Sequence, residues 1–162
     1  MDGNGRLDME NELLKKVDYV IASMHIPCVT PGSRKENTLA SIHAMEHPYV
    51  KILGHPDDER YPLDYDMLVR AAKEEQVALE INNSSLNPKS PRTGARENMR
   101  TMLERCMRYQ VPILLGTDSH ICYTIGSFEE ALQVLAEVDF PEELVLNCKA
   151  ENIAGLVNVE SI

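Results

Sequence analysis

Residues 64–83 read DYDMLVRAAKEEQVALEINN, and the fold class turns on this stretch. Asp64 can accept from the first N–H groups of a helix. Behind it, Met67, Leu68, Ala71 and Ala72 recur at a spacing that makes one apolar stripe, so Asp64 to Glu75 is expected as a helix. Val77-Ala78-Leu79-Glu80-Ile81 comes at once after it, an apolar run of strand length. The same unit recurs on both sides. Toward the N-terminus, Glu36 to Glu46 reads as a helix and Tyr49 to Gly54 as a strand. Before them stand a helix from Leu7 to Lys16 and a strand-like run from Tyr19 to Met24. Toward the C-terminus, Ser84 to Thr93 carries the Ser and Pro of a loop. Ala95 to Tyr109 is a helix whose Met99, Met102, Leu103 and Met107 read as core filler, and Val111 to Gly116 is a fourth strand. Ser127-Phe128-Glu129-Glu130 has the form of a capping box, so a helix is expected from there to about Val138. Leu144-Val145-Leu146 is a short strand or turn, and Lys149 to Val157 a last helix. Strands alternating with helices predict an α/β fold with a parallel sheet and helical crossovers. No linker or internal repeat divides the chain, so residues 1–162 are expected to form one domain.

Composition removes several function classes. Lys and Arg number 16 and Asp and Glu 26, a formal net charge of −10. A protein that grips nucleic acid by bulk charge needs a basic face, so nucleic acid is not favoured as a partner. No apolar run approaches the roughly 18 residues of a membrane span. The polar start Met1-Asp2-Gly3-Asn4-Gly5 does not read as a signal peptide. Cys28, Cys106, Cys122 and Cys148 form no CxxC pair, and reduced thiols in a cytoplasmic protein are the plain expectation. Neither GxGxxG nor GxxxxGK[ST] is present. Asp2-Gly3-Asn4-Gly5 begins like a calcium loop, but Leu7 and Leu13 stand where its glycine and bidentate glutamate belong. His43 and His47 are four residues apart on a helix, a spacing that can chelate. They lack the HExxH glutamate, and a surface role is expected for them.

The polar residues just past each strand are more informative. His25-Ile26-Pro27 stands after the first, and His55-Pro56-Asp57-Asp58 after the second. Glu80 lies near the end of the third, with Asn82 and Asn83 behind it. Thr117-Asp118-Ser119-His120 stands after the fourth. In parallel α/β folds the carboxyl ends of the strands converge on one rim, where ligands and catalytic groups collect. Asp118 and His120 alternate in an extended segment and project to the same side. Imidazoles and carboxylates on one rim suit a divalent transition metal.

These segments also resemble a known family. Met24-His25-Ile26-Pro27, Leu53-Gly54-His55-Pro56, Ala78-Leu79-Glu80-Ile81-Asn82-Asn83-Ser84-Ser85 and Leu115-Gly116-Thr117-Asp118-Ser119-His120 are similar to the PHP (polymerase and histidinol phosphatase) superfamily, in its YcdX-like phosphatase branch. The resemblance implies a distorted (β/α)7 barrel that carries divalent metals, zinc, manganese or iron, at its strand ends and hydrolyses phosphoesters. It implies His25, His55, Asp118 and His120 as metal ligands. Glu80 and Asn82 are expected to orient those ligands by hydrogen bonds. Arg34 and Lys35 come after the first ligand and are expected to meet a substrate phosphate.

The family's opening HxH motif and bridging glutamate have no counterpart before His25. The chain therefore resembles the C-terminal two-thirds of a PHP domain, a partial barrel truncated at its N-terminus. A closed barrel takes roughly 200 or more residues, so an open sheet is expected here, with an edge strand that offers a route to a homo-oligomer. The implied function is metal-dependent hydrolysis of a small phosphate ester, impaired in this chain alone because the ligands of any one ion are incomplete. The alternative is a non-catalytic fragment that folds and self-associates. A nuclease or polymerase-associated module is a weaker third reading, opposed by the acidic balance.

Overall fold

A computed structural model of the chain describes residues 1–156. Four strands, β1 (Val20–Ala22), β2 (Val50–Leu53), β3 (Ala78–Asn82) and β4 (Ile113–Gly116), form one sheet in the order β1-β2-β3-β4, and every pairing is parallel. The connections carry helices α2 (Arg34–Met45), α3 (Tyr65–Glu74) and α4 (Ala95–Tyr109). The short α1 (Asn11–Leu14) precedes β1, and α5 (Glu129–Glu137) and α6 (Ala150–Ala154) come after β4. Each strand pairs with its successor. Right-handed crossovers then place successive helices on one face, and α2 packs on α3, α3 on α4 and α4 on α5. The α/β class and parallel sheet match the expectation from sequence. The sheet is open, a wall and not a closed barrel.

Local chemistry sets the helix ends. The Asp64 carboxylate accepts from the N–H groups of Asp66 and Met67, both at 3.1 Å, and so starts α3. Its buried stripe is Tyr65, Leu68, Val69 and Ala72, whereas Met67 points to solvent at 43% exposure. On α4, Met99, Met102, Leu103 and Cys106 are fully buried against α3 and the sheet. Burying a side chain of Leu or Met size contributes about 1.5–3 kcal/mol each, which makes this layer the anchor of the domain.

Several boundaries differ from the sequence reading. The first helix shrinks from Leu7–Lys16 to Asn11–Leu14, because only Leu14 on it is buried. α2 starts two residues before Glu36, since Ser33 and Glu36 form a reciprocal capping box. The box expected at Ser127 does not form. The Ser127 hydroxyl donates to the Glu129 carboxylate instead, and the Ala131 N–H is taken by Asn83 Oδ1 at 3.0 Å from the end of β3. Leu144 to Leu146 falls among 3-10 turns and touches the sheet through one bridge, Val145 to Ile113. The last helix covers Ala150–Ala154, and its expected end at Val157 lies outside the described residues.

Candidate functional site

The sheet topology delivers three strand-end residues to one rim. His25 lies three residues past β1, and His55 and Asp118 lie two residues past β2 and β4. The Nε2 atoms of His25 and His55 are 3.1 Å apart, with the rings edge-on at 76°. His55 and Asp118 have φ of 33° and 47°, a left-handed region that residues other than glycine seldom enter. Gln76, Gln110 and Asp139 share the sign, but each closes a helix, where a left-handed residue is ordinary. At a strand end the same conformation is uncommon, and strained residues of this kind cluster at functional sites.

Glu80 holds that strain in place. Its Oε2 accepts from the His55 N–H at 2.7 Å and from Asn82 Nδ2 at 3.2 Å. A β-carbon on Gly116 would overlap Glu80 Oε1, so the glycine of β4 makes room for this carboxylate. Burial pushes the Glu80 carboxyl up, and the two hydrogen bonds pull it back. Asn82 Oδ1 accepts from the Ser85 N–H at 3.0 Å and turns the chain into the loop over the rim.

Burial pushes His55 down to about 4, helped by the charges of Arg92 and His25. Burial, then Arg92, lowers His25 as well. Both rings are therefore neutral near pH 7; across the 3.1 Å contact one Nε2–H donates to the other Nε2, and a shift of that proton to Nδ1 frees both Nε2 lone pairs for a ligand. For Asp118, burial works to raise the carboxyl, but the hydrogen bond and charge of Arg92, with Asn82, hold it below its ordinary value. Arg92 Nη1 donates to Asp118 Oδ2 at 2.9 Å and to Ser85 Oγ at 3.3 Å. His120 is different. Its side chain is 85% exposed, and its Nδ1–H donates to the carbonyl of Asp118 at 2.9 Å, which leaves Nε2 the lone pair.

His25, Asp118 and His120 line a cleft of about 520 Å³ with Asp58, Arg60, Ser84, Lys89, Ser90 and Arg92. Arg60 is committed to Asp58 by a two-pronged pair at 2.9 and 2.7 Å. Asp57 is wholly buried behind this rim. Neither of its oxygens has a partner of ordinary hydrogen-bond geometry, and burial raises it to about 7 although the nearby Ser85 hydroxyl opposes the rise. Arg34 lies elsewhere, in a hollow with Glu59, Asp64, Asp66 and Arg105, and Lys35 is exposed at the start of α2. His43 and His47 meet the N-terminal segment, through Asn4 O at 3.3 Å and Asn11 Oδ1 at 2.9 Å.

The donor set fits two positions of a divalent ion. Two nitrogen ligands with bonds of about 2.05 Å at a tetrahedral angle stand roughly 3.3 Å apart, close to the observed gap between the imidazoles. Among the described residues no group of three or more His, Cys, Asp or Glu is assembled to hold an ion. Asp118 is engaged by Arg92, and His120 stands in solvent. Sequence reasoning missed Arg92, Arg60 and Lys89 as cleft residues. The rule that favours loops at strand ends extends to the Ser84–Thr93 loop and would have found Arg92 and Lys89 there.

No helix among the described residues is long and apolar enough to cross a membrane. No family model matches the chain. By sequence it is similar to a probable phosphatase of Clostridium novyi, 44% identical over 147 residues, 91% of this chain and 59% of that protein. A probable phosphatase of Clostridium acetobutylicum is 40% identical over 153 residues, 94% of this chain and 62% of that protein. One from a Thermoanaerobacter species is 43% identical over 148 residues, 91% of this chain and 60% of that protein. The chain thus spans about three-fifths of the length of the curated relatives it matches.

Proposed function

We propose that the chain is part of a metal-assisted hydrolase of small phosphate monoesters, the C-terminal portion of a PHP-type barrel. His25 and His55 hold one divalent ion, zinc, manganese or iron, with Asp118 and His120 as the further candidate ligands. The observation that carries this reading is the pair of neutral imidazoles with Nε2 atoms 3.1 Å apart at the strand ends. The names of the similar proteins support the phosphatase part of it. A divalent ion supplies Lewis acidity there, acidifying water near neutral pH and drawing charge from phosphoryl oxygens.

The protein's own groups do the rest. Glu80 fixes the backbone of His55, and so the ring, by its hydrogen bond to the His55 N–H. Asn82 ties Glu80 to the loop that carries Arg92. Arg92 and Lys89 place positive charge in a cleft of an otherwise acidic protein, where a phosphate dianion would sit. With two imidazoles side by side, Asp118 held by Arg92 and His120 in solvent, the chain alone is expected to bind metal weakly and to turn over slowly.

Elemental analysis of the purified chain, beside turnover of an aryl phosphate with added zinc or manganese, tests the proposal. Metal bound by the wild type, with both metal and hydrolysis lost in His55→Ala, supports it. No metal uptake at millimolar concentration and no hydrolysis contradicts it. A second reading, a self-associating non-catalytic fragment, is favoured by the edge strand β1, where Ile21 is 50% exposed beside Tyr19 at 38%. A dimer by light scattering, with no metal uptake, would select it.

A further inference from the structure

The most unusual polar group in the cleft is Arg92. Its side chain is only 13% exposed. Both of its hydrogen bonds, to Asp118 and to Ser85, leave from Nη1. A guanidinium carries five N–H donors in a fixed fork, and Nε and Nη2 make no bond to another described residue. These donors have no partner among the described residues and border the cleft of about 520 Å³, where water or a ligand can accept from them. Arg60, the neighbouring arginine, has its two-pronged Nε and Nη2 edge already taken by Asp58, whereas the same edge of Arg92 is open. Asp118, in turn, is the one carboxylate of the four candidate ligands, and its Oδ2 is occupied by Arg92.

We infer that Arg92 and a divalent cation compete for the Asp118 carboxylate, and that the guanidinium displaced from Asp118 is the group that receives the phosphate. This rests on the metal site proposed above and deepens it. With no ion, Arg92 neutralises Asp118 and keeps the cleft closed to a second cation. When an ion arrives at Asp118, it repels the guanidinium beside it and competes for the charge of the same carboxylate, so Arg92 turns off Asp118 while its Nη1 keeps the bond to Ser85. The fork then presents its donors to a dianionic phosphate oxygen pair, the geometry for which arginine is suited. Ion and phosphate thus strengthen one another, and linkage makes the effect reciprocal.

The test uses cobalt(II) and inorganic phosphate as probes on the full chain, read by equilibrium dialysis, with melting curves to confirm that each variant folds. Arg92→Gln is expected to bind cobalt more tightly than wild type, by roughly 5–150-fold, the usual span of a coupling between linked sites. Phosphate should tighten cobalt binding to wild type and do so several-fold less in Arg92→Gln. Asp118→Asn releases the guanidinium without any ion, so it should bind phosphate in metal-free buffer where wild type does not. Equal or weaker cobalt binding by Arg92→Gln overturns the competition. Absence of metal-free phosphate binding by Asp118→Asn overturns the anion role. If no protein binds cobalt, the metal reading and the competition fall together, and Asp118→Asn still decides the anion role.

Discussion

His55 and His120 look alike in the sequence, each a histidine just past an apolar strand, yet the folded chain treats them in opposite ways. His55 is 8% exposed, its backbone is held in the left-handed region, and a buried carboxylate from the neighbouring strand grips its N–H. The His120 side chain is 85% exposed and is tied only to the carbonyl of Asp118, two residues back. The difference lies in what the next strand delivers. β3 brings Glu80 beneath β2, and Gly116 on β4 leaves space for it. Beyond β4 the described residues add the Val145 bridge and the Asn147 amide, which pairs with the N–H and carbonyl of Leu115, and neither is bonded to His120. A histidine is buried and held in place where the sheet supplies a partner for its backbone, and is left exposed where it does not.

The contrast can be broken from either side. The largest effect should be on cobalt affinity. His55→Ala is expected to lose more than the roughly 10–100-fold typical of removing an outer-shell partner, whereas His120→Ala loses about tenfold or less, as measured by dialysis. Next, Glu80→Ala leaves the buried His55 N–H and the Asn82 amide without their acceptor. It should lower stability by about 1–3 kcal/mol and cobalt affinity by about 10–100-fold, while Glu80→Gln, which keeps an acceptor, loses less of both. Urea titrations beside the dialysis check this.

Asp57 sharpens the buried side of the comparison. Its folded-state pKa, about 7, lies above the ordinary 3.8, so folding favours the protonated acid. The contribution of that acid to stability is intact below pH 4 and is lost as the pH rises toward 7. Between pH 5 and pH 8 the difference in stability between Asp57→Asn and wild type should therefore move in the variant's favour by about 2–3 kcal/mol. Denaturant titrations at the two pH values read it. The smallest effect is expected next to His120. Tyr123 and Ile125 are 91% and 73% exposed, and Tyr123→Ser should change stability by less than about 0.5 kcal/mol.

Much of the fold was legible in the sequence because its signals are local. The bounds of α4 agree with its methionine pattern, and Asp64 caps α3 by its own carboxylate. Where the sequence misled, a distant partner had replaced a near one. Ser127 lost its cap to Asn83, which is 48 residues from Ala131 along the chain. Arg34 and Lys35 stand close behind His25 in sequence but lie away from its cleft. Arg92 is 67 residues beyond His25, and the loop after β3 carries it back over the rim. The strand-end rule placed His25, His55 and Asp118 on one rim. It could not give the positive φ of His55 and Asp118 or the pairing of Asp118 with Arg92, because both depend on neighbouring strands.

The central claim is that His25 and His55 hold one ion between them. A zinc titration followed by the ring nitrogen resonances of all five histidines tests it most directly. The account predicts that the Nε2 signals of His25 and His55 move together and saturate at one equivalent, while those of His43 and His47 stay put. Movement of His43 and His47 first, or independent responses of His25 and His55, would contradict it.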